Sequence, residues 1–374
     1  CVVSKKIKNV PINKIIKVKN TFSSLNNLAE TNRNNTSAQI IGITGSVGKT
    51  TLKNLLSFSL KNYGKTYCSP LSYNNKFGVP FSLSNLKKST QYAIFEIGMD
   101  KKGEINTLSK IVRPEIAVIT NIAGAHFKNF NTLRDIAKAK AEIIDNISEG
   151  GTIILNKDDR FFNFLSNKAK KKNIFVISFS FKQKADIFLL KAIKNKNYYK
   201  LKVAVKNKIF YFNINHYGEN FISNMLSCIS VLYALNLDLK NIRRKLIDFP
   251  IPDGRGDIKM VNKFNKKFKF VDESYNANLL SMASAIKNIS HYKRQGNLKK
   301  IVLLGDMLEL GKKTKKLHKK LSNIINESDI DKVFVYGKHI KETFNLLSKN
   351  KKGKVFDNLI EAHNHLSKIV NNND

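Results

Sequence analysis

The chain is 374 residues long, with 42% hydrophobic residues and a formal net charge of +38, which is enough sequence for two or three domains with apolar cores. No run approaches the ~18 consecutive apolar residues of a membrane span. The three cysteines are scattered without metal or redox spacing, so we expect a soluble protein of the cytoplasm. Lysine is spread along the whole chain, so the charge predicts only weak, salt-sensitive binding to polyanions and no specific nucleic-acid partner.

From Gln39 onward, apolar runs alternate with helical patterns, which predicts a parallel sheet wrapped by helices. The sequence pattern also predicts a helix over 23–33, before this alternating region. The predicted strands are 39–43, 92–98, 115–121 and 152–155, and the predicted helices are 49–61, 104–111 and 132–146. Short β-rich runs between 174 and 214 predict a small antiparallel section, and a helix over 219–235 follows it.

Residues 249–257, FPIPDGRGD, hold two prolines and two glycines and predict a domain boundary. Strand and helix patterns alternate again after it, which predicts a second, smaller α/β domain of the Rossmann-like type. Its predicted strands are 267–272, 300–305 and 332–336, and its predicted helices are 279–291, 314–326, 338–348 and 358–370.

The most informative motif is TGSVGKTT at 44–51, a glycine-rich turn between a predicted strand and a predicted helix. Its glycines allow backbone N–H groups to face an anion, Lys49 supplies a charge for the β- and γ-phosphates, and Thr50 offers a hydroxyl to Mg²⁺. The loop is a shorter variant, because Ile43 replaces the first glycine of GxxxxGK[ST]. An ordinary tight turn is the alternative. The predicted ATP-binding residues are Gly45, Ser46, Val47, Gly48, Lys49, Thr50 and Thr51.

Other ionisable residues follow the predicted strands. Glu96 ends an apolar strand, where it could hold Mg²⁺ or pair with a nearby lysine. His126 follows the next strand and could be a ligand or a structural histidine. Lys138 and Lys140 alternate with alanines on helix 132–146, and this pattern alone favours a solvent-exposed basic face.

Residues 272–278, DESYNAN, follow the first predicted strand of the second domain. Two acids, a hydroxyl, a phenol and two amides exceed the hydrogen-bonding capacity that a simple turn needs. The loop is therefore suited to a ribose or another polar substrate.

Six further motifs of the sequence resemble those of a known family. They are YNNKFGVPFSL (73–83), EIGMDKKGEI (96–105), RPEIAVITNIAGAHF (113–127), AKAKAEI (137–143), DGR (253–255) and LLGDMLELG (303–311). Together with the phosphate loop and DESYNAN, they resemble, in order, the motifs of the Mur ligases from about residue 20 to the end. The resemblance implies a remnant of an N-terminal UDP-substrate-binding domain at 1–38, a central ATP-binding P-loop domain at 39–249, and an incomplete C-terminal ligase domain at 250–374. We expect the chain to be truncated at both ends.

The resemblance implies an enzyme that uses ATP and Mg²⁺ to add D-alanyl-D-alanine to UDP-N-acetylmuramoyl-tripeptide through an acyl phosphate. We expect it to be a monomer. One alternative is a ligase of the same family with another acceptor, such as a diamino acid or glutamate. The other is a basic P-loop protein that binds nucleic acid.

The resemblance also implies roles for individual residues. The metal ligands would be Thr50, Glu96, His126 and Lys140, and the catalytic residues would be Lys49, Glu96, His126 and Lys140. Lys140 matches a lysine that is carbamylated in the family, which replaces the solvent-exposed interpretation of that residue. Asn224 would lie by the adenine, Arg255 by the ATP phosphates and Glu273 by the ribose. The substrate contacts would be Asn74, Asn75, Tyr275, Asn276 and Asn278. Asn220 stands where the family usually has a histidine, which bears on nucleotide preference.

Overall fold

The structure is a computed structural model that describes residues 1–5, 7–8, 10–124, 127–196, 198–290, 292, 298–372 and 374. Contacts between residues divide the chain into two compact units. The first contains Cys1–Ile122, Ala137–Asn215 and Ser223–Phe249, and the second contains Ala123–Ile136, His216–Ile222 and Pro250–Asp374. The domain ranges drawn from the sequence stay a prediction.

The first unit has the following strands: β1 (Val2–Val3), β2 (Ile16–Lys17), β3 (Gln39–Thr44), β4 (Thr66–Cys68), β5 (Tyr92–Glu96), β6 (Ile116–Ile119), β7 (Thr152–Asn156), β8 (Phe175–Ser180), β9 (Ile187–Lys194), β10 (Tyr199–Val205) and β11 (Lys208–Ile214). Its helices, of which the fifth and seventh include residues of the second unit, are α1 (Thr21–Asn34), α2 (Lys49–Leu60), α3 (Gly78–Ser84), α4 (Glu104–Val112), α5 (Leu133–Lys140), α6 (Phe162–Lys171) and α7 (Glu219–Ala234).

Nine of these strands form one sheet in the order β11-β10-β9-β8-β7-β6-β3-β5-β4. The pairs from β4 to β9 are parallel, and β9, β10 and β11 pair in antiparallel fashion. The predicted fold class is confirmed. The antiparallel section continues the parallel sheet, because β8 and β9 are hydrogen-bonded neighbours.

β3 lies between β5 and β6 in this sheet. Its residues Ile40, Ile41 and Ile43 are all fully buried, as expected for a parallel strand that is covered on both faces. Because β5, β3 and β6 are parallel, their carboxyl ends meet at one edge of the sheet. This edge holds the phosphate loop after β3 and Glu96 at the end of β5.

The predicted helix 132–146 is wrong in its second half, because α5 ends at Lys140 and a 3₁₀ helix covers Ala141–Asn146. The carboxylate of Glu142 accepts hydrogen bonds from the N–H groups of Gly103 (2.9 and 3.1 Å) and Asn106 (3.1 Å). This tertiary contact anchors the tighter turn just after Lys140.

The second unit has the strands β12 (Asp257–Lys263), β13 (Lys266–Asp272), β14 (Ile301–Leu304), β15 (Lys332–Tyr336) and β16 (Lys352–Phe356). Its further helices are α8 (Leu279–Ser290), α9 (Thr314–Asn326), α10 (Lys341–Asn345) and α11 (Leu359–Ile369). β14, β15 and β16 form a parallel sheet, and β12 and β13 form an antiparallel hairpin.

Two predictions for the second unit need correction. The predicted strand 267–272 is the second strand of a hairpin, whose first strand the sequence analysis missed. The hairpin turn uses Phe264 and Asn265, both with positive φ (59° and 56°), and lacks the Asn-Gly or Asp-Gly pair that usually signals such a turn. The predicted helix 338–348 is confined to α10, and β16 follows it.

None of the helices in the described ranges combines the length and the apolar character that crossing a bilayer requires.

Candidate active site

The phosphate loop depends on two glycines. Gly45 (φ 147°) and Gly48 (φ 88°) have backbone angles that favour glycine. A Cβ on Gly45 would lie 1.8 Å from Thr120 Oγ1, and a Cβ on Gly48 would lie 2.6 Å from Asn224 Oδ1. Both positions therefore require glycine for steric as well as conformational reasons.

The end of β6 fixes the loop in place. Asn121 accepts hydrogen bonds from Ser46 N through its carbonyl (3.0 Å) and from Val47 N through Oδ1 (3.0 Å). Thr120 Oγ1 donates to the carbonyl of Val47 at 2.6 Å. The sequence analysis missed Thr120 and Asn121, although polar residues after an apolar strand at a sheet edge were an available signal.

Lys49 is the first residue of α2, and Gly48 is the residue that precedes this helix. Lys49 Nζ donates to the carbonyl of Gly45 at 2.9 Å, so the ammonium group spans the loop. The backbone N–H groups and the dipole at the start of a helix favour an anion. The loop can therefore bind phosphate groups, with Lys49 adding a full positive charge.

Thr50, Glu96 and Asn74 form a network beside the loop. Thr50 Oγ1 donates to Glu96 Oε2 at 2.8 Å, and Asn74 Nδ2 donates to Glu96 Oε1 at 2.7 Å. Glu96 is only 1% exposed. Its two hydrogen-bond donors are neutral, and a buried carboxylate is costly without a cation. Hydroxyl and carboxylate oxygens are the donors that Mg²⁺ prefers, so this pair fits a magnesium ion.

Lys140 is 2% exposed, so the solvent-exposed interpretation of the AKAKA pattern is wrong for this residue. Lys138, two positions earlier, is exposed. Burial lowers the pKa of Lys140 well below its usual value, and the charge of Lys49 lowers this pKa further. The neutral amine is the nucleophilic form of lysine, and it is the form that can react with CO₂ to give a carbamate.

Asn75 and Asn224 are further predicted residues of the first unit, and their surroundings differ. Asn75 Oδ1 accepts from Phe77 N (3.1 Å) and Gly78 N (2.9 Å) at the start of α3. Asn224 is 6% exposed and lies beside Gly48. His126 lies outside the described residues. Within the described ranges, no group of three or more His, Cys, Asp and Glu side chains could hold a metal ion.

The candidate residues of the second unit lie in the loop after β13, at 273–278, or contact it. The Arg255 guanidinium lies over the ring of Tyr275, with Cζ 4.0 Å from the ring centroid. Glu273 has exposed surface, yet desolvation around its carboxylate raises its pKa to about 7. The charge of Arg255 opposes this rise and that of Asp272 adds to it.

The two predicted asparagines of this loop differ. Asn276 is exposed. Asn278 is buried, and its Oδ1 accepts from Ser281 N at 3.0 Å. Asn278 immediately precedes α8, so this bond caps the helix. The side-chain oxygen of Asn278 therefore has a structural function, while the exposed Asn276 is available to a ligand.

The phosphate loop at the edge of a parallel sheet defines the chain as a P-loop nucleotide-binding protein. A family model described as Mur ligase middle domain matches residues 43–232, and one described as Mur ligase, glutamate ligase domain matches 258–374. The chain belongs to the Mur ligase family, and its similarity is to the MurF type. The nucleic-acid-binding alternative is set aside.

Two relatives illustrate this similarity. A UDP-N-acetylmuramoyl-tripeptide--D-alanyl-D-alanine ligase of Buchnera aphidicola subsp. Baizongia pistaciae is 37% identical over 95% of this chain and 75% of its own length. A ligase with the same description from Rickettsia prowazekii is 32% identical over 98% of this chain and 81% of its own length.

Solved structures agree with this fold. A crystal structure of MurF from Acinetobacter baumannii has a TM-score of 0.85 at 26% identity, and the match covers 98% of this chain and 78% of that one. A MurF ligase from Thermotoga maritima, solved in complex with ADP, has a TM-score of 0.82 at 24% identity, covering 100% of this chain and 83% of that one. The second match bears on the fold alone.

Proposed function

We propose that this protein adds D-alanyl-D-alanine to UDP-N-acetylmuramoyl-tripeptide at the expense of ATP, in the synthesis of peptidoglycan precursors. The observation that carries the proposal is the phosphate loop next to the buried Thr50–Glu96 pair, in a chain whose relatives bear that activity in their descriptions. The protein would act in the cytoplasm as a monomer and support cell-wall growth and division.

The reaction has two steps. The terminal carboxylate of the tripeptide attacks the γ-phosphorus of ATP, the bond to the β,γ-bridging oxygen breaks, and ADP and an acyl phosphate form. The amine of D-alanyl-D-alanine then attacks the acyl carbon, and phosphate leaves with the bonding electrons as the amine loses a proton. Lys49 and the N–H groups at the start of α2 would stabilise the charge on the transferring phosphoryl group, which is the main catalytic requirement of such a transfer.

Magnesium fits the oxygen donors of Thr50 and Glu96, and when bound it neutralises phosphate charge. Lys140, once carbamylated, would add a carboxylate-like group, and His126 would be a further ligand. The low pKa of Lys140 supports its carbamylation, because only the neutral amine combines with CO₂. Glu96 and the carbamate on Lys140 would thus be two buried anions. They would hold the metal ion despite the positive charge of Lys49.

For the other substrates, we propose that Asn224 contacts the adenine, Arg255 the phosphates and Glu273 the ribose. The peptide and the acceptor would contact Asn74, Asn75, Tyr275 and Asn276. Asn278 would contribute through the loop that it caps. These assignments follow the family resemblance and fit the chemistry of each side chain.

The test is ADP release by the purified protein with UDP-N-acetylmuramoyl-tripeptide and one acceptor at a time. D-Alanyl-D-alanine should support turnover, while diaminopimelate, D-glutamate and no acceptor should not. Mass spectrometry should find a product heavier than the tripeptide substrate by one dipeptide residue. Turnover with a diamino acid or glutamate, and none with D-alanyl-D-alanine, would assign a different acceptor and contradict the proposal.

A further inference from the structure

Lys53 is a second lysine of α2, one turn after Lys49, and the proposed reaction gives it no role. It is 1% exposed and is among the largest fully buried side chains of the described residues. Its Nζ donates to the carbonyl of Ser69 at 2.7 Å and also to the carbonyl of Leu71. Burying an ammonium group is costly unless hydrogen bonds compensate, so these bonds to one short loop require an explanation.

The loop that Lys53 holds has an unfavourable backbone conformation. Leu71 has φ 42°, in the left-handed region that bulky side chains rarely occupy. The Leu71 side chain is 76% exposed, so its own packing contributes little to holding this turn. The bonds from Lys53 act on the carbonyl of Leu71 itself and on that of Ser69, two residues earlier. Lys53 therefore stabilises the turn from the protein interior.

The same loop leads directly to the proposed metal ligands. Ser72 Oγ lies 3.3 Å from Thr50 Oγ1, and Asn74 Nδ2 donates to Glu96 Oε1 at 2.7 Å. The carbonyl of Asn74 also accepts from Gly98 N at 2.7 Å. One segment, stabilised by Lys53 at its start, thus presents a hydroxyl to Thr50 and an amide to Glu96.

We propose that Lys53 is a positioning residue for the metal site, and that Ser72 is a further residue of this site. The inference rests on the proposed function, because it takes Thr50 and Glu96 as metal ligands. By fixing the carbonyls of Ser69 and Leu71, Lys53 holds Ser72 and Asn74 against these ligands and so sets their orientation. Removal of a hydrogen bond that orients a metal ligand commonly lowers the affinity for the metal about 10–100-fold.

The test measures metal binding directly. Mn²⁺ replaces Mg²⁺ as a paramagnetic probe, and electron paramagnetic resonance gives the Mn²⁺ dissociation constant in the presence of saturating ADP. Calorimetry in chelator gives the affinity for ADP without metal. The variants are Lys53→Met, which removes the ammonium group, and Ser72→Ala, which removes the hydroxyl. Lys110→Met, at an exposed position of α4, is the matched control.

We expect Lys53→Met to weaken Mn²⁺ binding about 10-fold or more, and Ser72→Ala to weaken it several-fold. The affinity for ADP in chelator should stay within about 2-fold of the unmodified protein, because the phosphate loop keeps its contacts to β6. The control should match the unmodified protein in both measurements. This pattern assigns the loop to the metal site.

Other outcomes are decisive as well. If Lys53→Met lowers only the melting temperature and binds Mn²⁺ normally, Lys53 is structural and the inference is overturned. If Lys53→Met does not fold, Ser72→Ala decides, and unchanged Mn²⁺ affinity in that variant overturns the inference. If the unmodified protein with ADP bound shows no Mn²⁺ binding, the proposed metal site itself fails, which is a separate result.

Discussion

In the first unit, the candidate residues are buried and bonded to one another: Glu96 accepts hydrogen bonds from Thr50 and Asn74, and Lys140 is enclosed. In the second unit, the loop after β13 leaves Tyr275 and Asn276 exposed. There Arg255 packs on the face of an exposed ring. The two regions therefore differ in how far their side chains are fixed before any ligand arrives.

This difference predicts that the two regions contribute to catalysis in different ways, one mainly to the rate and the other mainly to ligand binding. Folding has already desolvated and oriented the side chains of the first region, and preorganised groups of this kind stabilise transition-state charge strongly. Exposed side chains lose conformational entropy when they bind, so each contributes less. Substitutions should consequently affect the rate most in the first region and the binding affinity most in the second.

The largest effect should come from Lys49→Ala. Removing the charge that spans the phosphate loop should lower the rate of ADP formation about 100–1,000-fold, as the loss of one preorganised donor commonly does. Circular dichroism should show an unchanged fold, because Gly45 and Gly48 keep the backbone of the loop. Lys110→Ala, at an exposed position, is the control. A turnover close to normal would remove the argument that preorganised charge dominates in the first region.

Lys140→Ala should give the next largest effect, a loss of activity of at least about 10-fold. A short carboxylic acid such as formate should partly restore it by occupying the space of the carbamate. Lys138→Ala, at the exposed position two residues earlier, is the matched control and should remain active. In ¹³C-bicarbonate, the unmodified protein should show a carbamate signal by NMR that is missing from the Lys140→Ala variant. A protein that is fully active without this signal would contradict the role of Lys140.

The sequence predicted the phosphate loop and most of the sheet, because both depend on local patterns: apolar runs, a glycine turn and a helical period. It did not predict the burial of Lys140, since alternating lysine and alanine look alike on an exposed and on an enclosed helix. Only the family resemblance identified Lys140 as a candidate site residue. Asn121 was missed for a different reason. Its position after an apolar strand indicates the sheet edge, but its bonds to Ser46 and Val47 join positions more than 70 residues apart. The pairing of β3 with β6 brings these positions together.

Arg255→Lys tests the second region. Lysine keeps the charge but loses the planar group that stacks on Tyr275, and such stacking contributes on the order of 1 kcal/mol. We expect about 5-fold weaker binding of ADP, measured by calorimetry, with little change in the maximal rate. Arg160→Lys is the control, because Arg160 stacks on Phe161 in the first unit with Cζ 4.7 Å from the ring centroid. A loss of rate as large as that of Lys49→Ala would break the distinction between the two regions.

The smallest effect should come from the titration of Glu273, whose pKa is raised to about 7 by desolvation of its carboxylate. Below pH 7 the group is mostly protonated. Above pH 7 it is a carboxylate, which accepts hydrogen bonds from ribose hydroxyls more strongly. The affinity for ADP should therefore rise a few-fold between pH 6 and pH 8 in the unmodified protein, relative to Glu273→Gln, which cannot titrate. The ratio of the two affinities cancels the titration of ADP itself.

As the pH rises, the contribution of Glu273 to the free energy of unfolding should fall, whereas its contribution to the affinity for ADP should rise. A carboxyl group whose pKa is raised from 4.5 to about 7 in the folded state binds more protons when folded than when unfolded. The contribution of Glu273 to stability is therefore lost as the pH rises from 4.5 through 7. Glu273→Gln should lack this decline, as thermal unfolding at several pH values would detect. If both proteins show the same pH profiles for ADP affinity and for unfolding, Glu273 does not titrate in this range. Equal affinities of the two proteins for ADP at pH 8 would show in addition that the carboxylate does not contact the ribose.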